Sequence, residues 1–238
     1  MDPERSDAPS PDAASRDDSR PTLDGESSVD PQSTYDRIAG HFSKTREYAW
    51  PEVESFVTDR SADRALDVGC GNGRHAELLA QRADAVVGVD LSRELLRGAV
   101  HRARERGYDE TASFVHGDAA RLPVATDAVG LAVYVATIHH LPSRAARIGS
   151  LDELARVLAP GGIALVSTWS TAHDRFERDA GFDTTVDWTL PGGETVPRYY
   201  HIYAPSEFEA DLAESALETV SFEVSSGNCY ATVTASTP

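Results

Sequence analysis

The sequence predicts an α/β fold in which a largely parallel sheet is covered by helices on both faces. Between residues 65 and 169, short apolar runs rich in β-branched residues alternate with longer segments of helical composition. This alternation indicates strand–helix–strand units, because parallel neighbours in a sheet are joined by crossovers that usually contain a helix. The 238 residues are enough for one sizeable domain with appendages.

Each element of the alternation has its own local signal. The predicted strands cover residues 65–68, 85–89, 113–116, 129–136 and 163–169. The predicted helices between them cover residues 74–82, 92–106 and 144–158, with Ser92 as the N-cap of the second. Two helices are predicted ahead of the first strand, within residues 33–50 and 52–60.

The two ends of the chain differ from this regular middle. Residues 1–32 are rich in Asp, Ser and Pro and are predicted to be a disordered acidic tail, because they bury too little apolar surface to offset their ordering entropy. Residues 33–238 form the predicted domain. It contains a predicted substrate-facing insertion at 171–204 (loop-rich over 171–197), a helix at 206–217 and a closing hairpin of strands 219–225 and 230–235.

The composition is strongly acidic and almost free of lysine. The formal net charge is −17, and Lys44 stands alone against 21 arginines. This resembles proteins of salt-accumulating cells, where screening shortens the reach of repulsion between carboxylates. The same charge repels nucleic acid in dilute buffer. Two cysteines make no disulfide framework or zinc cluster, and without a signal peptide or membrane-spanning run the chain is expected to be soluble and cytoplasmic.

A glycine turn follows the first predicted strand. Residues 66–73 read LDVGCGNG, with Gly69, Gly71 and Gly73 at alternate positions. This spacing differs from that of dinucleotide-binding turns, and no Lys-Ser/Thr pair follows that would make a phosphate-binding loop. The second strand ends in Asp90, seventeen residues after Gly73. An acidic side chain there is placed to accept both ribose hydroxyls of a bound nucleoside.

Alternate glycines followed by that aspartate resemble the class I S-adenosylmethionine-dependent methyltransferases; otherwise the glycines merely permit a tight turn. The resemblance implies a Rossmann-like, seven-stranded, mostly parallel sheet with an antiparallel last strand, and S-adenosylmethionine as cofactor. It places Asp118 on the adenine amino group, although a turn aspartate is the alternative, and it makes Asp67 the residue that orders the turn. The implied cofactor-binding residues are Asp67, Gly69, Cys70, Gly71, Gly73, Asp90, Leu91, Asp118 and Ala119.

Further motifs resemble one subfamily, which methylates 5-carboxymethyluridine at the tRNA wobble position to form the methyl ester. The motifs are YDRIAGHFSKTR at 35–46, Trp50-Pro51, His139-His140, RVL at 156–158 before PGG at 160–162, Trp169, RYYH at 198–201 and Asn228. The resemblance implies a tRNA anticodon loop as partner. Two positions depart from the subfamily: Asp187 stands where it has Pro in Val-Pro-Trp, and Cys229 stands where it has Trp.

The implied acceptor is a carboxylate, which is ionised near neutral pH because its unperturbed pKa is about 4, so no general base is required. The enzyme then has to align the reacting atoms and exclude water. Arg46 and Arg198 are predicted to orient the carboxylate or an anticodon phosphate, and Arg46 could instead hold the methionine carboxylate of the cofactor. Tyr199 is predicted to stack on the extruded base, and His140 to be an orienting donor, with general base as a lesser role.

Other interpretations remain open at this stage. A small-molecule methyltransferase of quinone or secondary metabolism would share the cofactor motifs, and so would an inactive regulatory subunit. Arg198 could form a surface ion pair, and Tyr199 could simply flank a hairpin. The subfamily also implies a small zinc-binding activator subunit docked on the edge strand near Ser113–His116, where Phe114 and Val115 are apolar. The alternative there is an edge protected by nearby charge.

Overall fold

A seven-stranded sheet forms the centre of the computed structural model, which describes residues 29–236. Its strand order is β3-β2-β1-β4-β5-β9-β8. The first five strands run parallel, and β9 is antiparallel to both β5 and β8, which confirms the predicted fold class. The strands of this sheet are β1 (Ala62–Val68), β2 (Ala83–Asp90), β3 (Ala112–His116), β4 (Val129–Val135), β5 (Leu158–Trp169), β8 (Leu217–Ser225) and β9 (Asn228–Ala235).

Helix α4 (Arg93–Arg106) begins and ends at recognisable capping residues. Ser92 caps α4 as predicted, its hydroxyl accepting the Leu95 N–H at 3.1 Å, and Gly107 ends that helix in the left-handed conformation. The predicted 1–32 tail falls outside the described residues up to position 28, and α1 already begins at Pro31. The helices are α1 (Pro31–Thr45), α2 (Pro51–Thr58), α3 (Arg74–Leu79), α4 (Arg93–Arg106), α5 (Arg144–Val157) and α6 (Pro205–Glu214).

The core has two halves, one on each face of the sheet. Strand β4 contributes to both, since Ala132 and Tyr134 join one apolar cluster while Leu131 and Val133 join the other. Side chains alternate across a strand, so a strand covered on both faces has an almost uninterrupted apolar sequence. The described helices include none that is long and apolar enough to cross a membrane.

The predicted loop-rich stretch is largely a hairpin. Strands β6 (Phe182–Thr189) and β7 (Thr195–Ile202) pair antiparallel in a second, two-stranded sheet. Val186 and Trp188 are buried on β6, and their alternation with exposed residues is typical of a strand. The prediction of a loop was wrong because glycine and proline between 190 and 193 mark only the turn. The hairpin packs on α1 through an apolar cluster that contains Ile38, Trp188 and Val196.

Candidate cofactor and acceptor site

A cavity of about 460 Å³ lies at the carboxyl ends of the parallel strands. Its wall is built from the glycine turn, the ends of β2, β4 and β5, helix α1 and strand β7. Strands β1 and β4 are neighbours here, and the chain order runs in opposite directions on either side of them. Such a switch point is where open α/β sheets bind ligands.

The glycine turn at the cavity floor requires glycine for two separate reasons. Gly69 has φ +70°, and a Cβ there would lie only 2.1 Å from Oγ1 of Thr137, so no side chain fits between the turn and the end of β4. Gly71 has φ +53°, but a Cβ there would meet nothing closer than Phe42 at 3.6 Å. Gly69 is therefore required because a side chain there would clash with Thr137, and Gly71 is required mainly because its backbone has a positive φ.

Asp90 lies beside this turn, where the sequence predicted it. Its Oδ2 accepts the Gly71 N–H and its Oδ1 accepts the Ser92 N–H, each at 2.8 Å. A carboxylate has about four acceptor positions, so both oxygens retain capacity for further donors. Asp90 also lines the cavity, and its burial raises its pKa to about 6. This geometry fits a pair of ribose hydroxyls.

Most of the other predicted cofactor residues also line the cavity. Asp118 does so while its Oδ1 accepts the Ala120 N–H at 2.9 Å, so the turn and ligand interpretations of this aspartate are compatible. Burial raises the pKa of the Cys70 thiol, which leaves it a neutral part of the wall. The cavity-lining members of the predicted set are Gly69, Cys70, Gly71, Asp90, Leu91, Asp118 and Ala119.

Asp67 and Gly73 do not line the cavity. Gly73 begins helix α3 in the left-handed conformation, and its carbonyl accepts the Tyr108 hydroxyl at 3.2 Å. Asp67 is buried beneath the turn, where burial and the nearby charge of Asp90 raise its pKa to about 7. Both residues therefore shape the turn rather than contact a ligand, and only the supporting role predicted for Asp67 agrees with this.

His140 makes two hydrogen bonds within the protein. Its Nδ1 lies 2.8 Å from the Tyr199 carbonyl oxygen, which can only accept, so Nδ1 carries the proton. Burial lowers its pKa to about 3, so the ring is neutral and its Nε2 accepts the Tyr35 hydroxyl at 2.8 Å. With both nitrogens engaged, His140 holds Tyr35 and β7 in place. The predicted roles of orienting donor and general base do not fit these contacts.

His139 is also neutral and part of the wall. Its Nδ1 accepts the backbone N–H of Trp169 at 3.1 Å, and burial lowers its pKa well below the usual range. The ring lies 4.7 Å from the ring of Tyr200. Both histidines of the pair line the cavity.

Strand β7 presents Arg198 and Tyr200 to the cavity, and Tyr199 to the other side. The Tyr199 hydroxyl donates to Asp183 at 2.9 Å, at the flank of the hairpin. Successive side chains of a strand point to opposite faces, which explains why the aromatic residue in the wall is Tyr200. The stacking role predicted for Tyr199 is therefore corrected. The Arg198 Nη1 donates to the Tyr200 hydroxyl at 2.6 Å.

Arg46 lines the same cavity from the end of α1, and two further residues of that region were missed by the sequence analysis. The Asn72 side chain donates to the Arg46 carbonyl at 2.9 Å and fastens α1 to the glycine turn. Arg74 lies over the Trp50 ring at 5.4 Å, and burial together with the charge of Arg46 lowers its pKa to about 10. Asn72 and Arg74 directly flank Gly73, and this proximity to the glycine turn was the sequence signal that could have identified them.

Comparison with known proteins agrees with this site. A family model described as a methyltransferase domain matches residues 65–162. A tRNA (carboxymethyluridine(34)-5-O)-methyltransferase of Macaca fascicularis is 36% identical over 59% of this chain and 20% of its own length. One of Schizosaccharomyces pombe is 27% identical over 76% of this chain and 85% of its own. This chain thus spans only about a fifth of the first of these relatives.

Two further likenesses bear on family and fold. A relative from Encephalitozoon cuniculi, named only as a methyltransferase, is 33% identical over 71% of this chain and 78% of its own length. The solved structure of the CcbJ methyltransferase from Streptomyces caelestis has a TM-score of 0.71 at 20% identity, covering 87% of this chain and all of its own. The latter shows the shared fold.

Sheet order, glycine turn and an aspartate that lines the cavity at the end of β2 define a Rossmann-like domain that binds a nucleoside cofactor at its switch point. Its family relationship makes that cofactor S-adenosylmethionine, as the sequence predicted. The chain belongs to the class I S-adenosylmethionine-dependent methyltransferases. The resemblance to the tRNA carboxymethyluridine subfamily is confirmed as well.

Replacing Asp90 by Asn is expected to weaken S-adenosylmethionine binding by about 1.5–3 kcal/mol, because hydrogen bonds to a charged acceptor are lost. Calorimetry measures this directly. The matched control is Asp84→Asn, which changes an exposed carboxylate at the other end of β2 and should leave affinity unchanged. Equal affinities for both variants would contradict the assignment of Asp90.

Asp67 makes the cofactor-free chain less stable as pH rises. Its folded pKa of about 7 lies above the ordinary aspartate value of 3.8, so the folded state binds the extra proton and stability falls as pH rises between these values. From pH 5.5 to 8 this contributes a loss of about 2 kcal/mol. Asp67→Asn should flatten the pH dependence of unfolding free energy, measured with denaturant, by that amount. Parallel curves would show that Asp67 does not titrate this way.

Proposed function

We propose that this enzyme methylates the carboxymethyl group of 5-carboxymethyluridine at the wobble position of tRNA, forming the methyl ester. The observation that carries this proposal is a cavity wall that offers Arg46 and Arg198 together with two neutral histidines. A site of this kind attracts an anion and has little to offer an acceptor that must first lose a proton. Relatives named as carboxymethyluridine methyltransferases support the same substrate.

This reaction requires alignment of the carboxylate oxygen with the methyl group, and it requires no proton transfer. Bound S-adenosylmethionine would supply an electrophilic methyl group to a carboxylate oxygen of the acceptor, with the sulfonium sulfur as leaving group. The guanidinium forks of Arg46 and Arg198 match a carboxylate and fix its direction. His139 and His140 stay neutral and hold aromatic neighbours in place, while the buried wall excludes water.

The uracil ring has an aromatic environment available in the same wall. Tyr200 and Trp169 both line the cavity, with ring centroids 5.4 Å apart in an edge-to-face arrangement. Extruded bases are recognised by stacking on such side chains. Tyr200 takes the stacking role here, because the Tyr199 hydroxyl is bound to Asp183 on the outer side of the hairpin.

Arg198→Ala is expected to lower kcat/KM for an anticodon stem-loop carrying 5-carboxymethyluridine by about 10- to 100-fold, the cost of a hydrogen bond to a charged group. Affinity for S-adenosylmethionine should remain. The control is Arg37→Ala, which removes an exposed arginine paired with Glu194 near the hairpin turn. The assay is methyl transfer in multimolar potassium chloride. A normal methylation rate for Arg198→Ala would contradict the proposal that 5-carboxymethyluridine is the acceptor.

The proposal extends to an activator subunit, a small zinc-binding protein that adds to the edge of β3. That strand does lie at the border of the sheet, and Val115 is 37% exposed there. Phe114, by contrast, turns inward over Gly88, where an added Cβ would lie 2.7 Å from its ring. The apolar part of this edge is therefore smaller than the sequence suggested, and backbone pairing has to provide most of the contact.

The isolated chain is expected to be poorly soluble or inactive, and co-expression with the activator to restore both properties. Val115→Glu should abolish this rescue by placing a charge on the docking edge. Val220→Glu is the matched control, because Val220 is 60% exposed on β8 at the opposite edge of the sheet. Full activity of the purified chain alone on modified stem-loops would refute the partner and leave the cofactor assignment intact.

A further inference from the structure

Trp188 contacts both arginines of the acceptor site. The guanidinium carbon of Arg46 is 5.3 Å from the centroid of its ring, and that of Arg198 is 4.8 Å away. Both distances fall within the range of cation–π attraction. Arg46 follows helix α1 and Arg198 belongs to β7, so one ring on β6 contacts cations from two other elements.

Guanidinium groups that contact the same ring carry like charges and repel each other, and the repulsion grows where less water screens it. The negative face of an indole attracts both cations and reduces the tendency of each to turn away. Trp188 is itself held firmly, since its Nε1–H donates to Nδ1 of His41 at 3.0 Å and only 7% of the residue is exposed.

We propose that Trp188 is a positioning residue that holds Arg46 and Arg198 toward one anionic group of the methyl acceptor. The inference rests on the proposed function and adds the element that determines anion recognition. An anion that contacts both guanidinium groups would reduce their mutual repulsion, so the site binds an acceptor more strongly when that acceptor carries a negative group. A neutral ester product loses that attraction and is released.

The same residue makes the anion site depend on docking of the hairpin. Trp188 shares an apolar cluster with Ile38 of α1 and Val196 of β7. Arg46 and Arg198 can therefore contact the same ring only when the β6–β7 hairpin lies on α1. The glycine turn and Asp90, by contrast, are positioned by strands β1 and β2 of the seven-stranded sheet.

The test varies the charge distribution of the ring at nearly constant volume. Site-specific replacement of Trp188 by tryptophans with one to four ring fluorines weakens cation–π attraction stepwise. We expect KM for the carboxymethyluridine stem-loop to rise with each fluorine, reaching about 3- to 10-fold, the range that such contacts support. Affinity for S-adenosylmethionine and the melting temperature should stay constant, and Trp188→Leu should raise KM further than Trp188→Phe.

The matched control is Phe56→Leu, which removes another arginine–aromatic contact, with Arg60 at 4.4 Å, away from the cavity wall. It should lower the melting temperature without changing the acceptor KM. If the wild-type enzyme is active and KM does not change across the fluorinated variants, the positioning role of Trp188 is overturned. A KM that follows the melting temperature would also overturn it, because that pattern indicates packing alone. A wild-type enzyme that stays inactive on the modified stem-loop even when co-expressed with the activator would overturn the proposed function and this inference together.

Discussion

The close approach of the glycine turn to the end of β4 is the constraint on which the site depends. Gly69 leaves no room for a Cβ against Thr137, and the N–H groups of Gly69 and Cys70 donate to the Val89 carbonyl at 2.8 and 3.0 Å. Asp90 then accepts the next glycine N–H of the turn. These contacts join the ends of β1, β2 and β4, so the cofactor-binding edge behaves as one rigid unit. A larger residue at position 69 would separate the strands that create the switch point.

Charge is distributed unevenly between the surface and the cavity. The chain carries a net charge of −17, yet Arg46, Arg74 and Arg198 all line one cavity. Carboxylates in the same wall, such as Asp90, are engaged by backbone N–H groups. An anionic acceptor therefore meets a repulsive exterior and an attractive interior. High salt screens the exterior strongly and buried pairs weakly, which suits the lysine-poor composition.

The acceptor half of the cavity is built by elements outside the alternating core. Tyr35 of α1 donates to His140, and His140 donates to the Tyr199 carbonyl of β7, which joins three distant segments through one imidazole ring. Trp188 joins α1 to the same hairpin by packing. The sheet thus supplies the glycine turn and Asp90, while the helix and the hairpin line another part of the cavity wall. This division explains how one fold serves many acceptors.

The sequence by itself determined the features that depend on neighbours along the chain. Strand and helix alternation, the Ser92 cap and the glycine turn followed by Asp90 were all readable, because periodicity, capping and left-handed backbone are local properties. Only the tertiary structure decided that Tyr200 rather than Tyr199 faces the cavity and that His140 is bound at both nitrogens. It also revealed the hairpin and the contact of Trp188 with two arginines. The engagement of His140 depends on a residue 59 positions away, Tyr199, and Arg46 meets Trp188 across 142 positions, so no local pattern encodes these contacts.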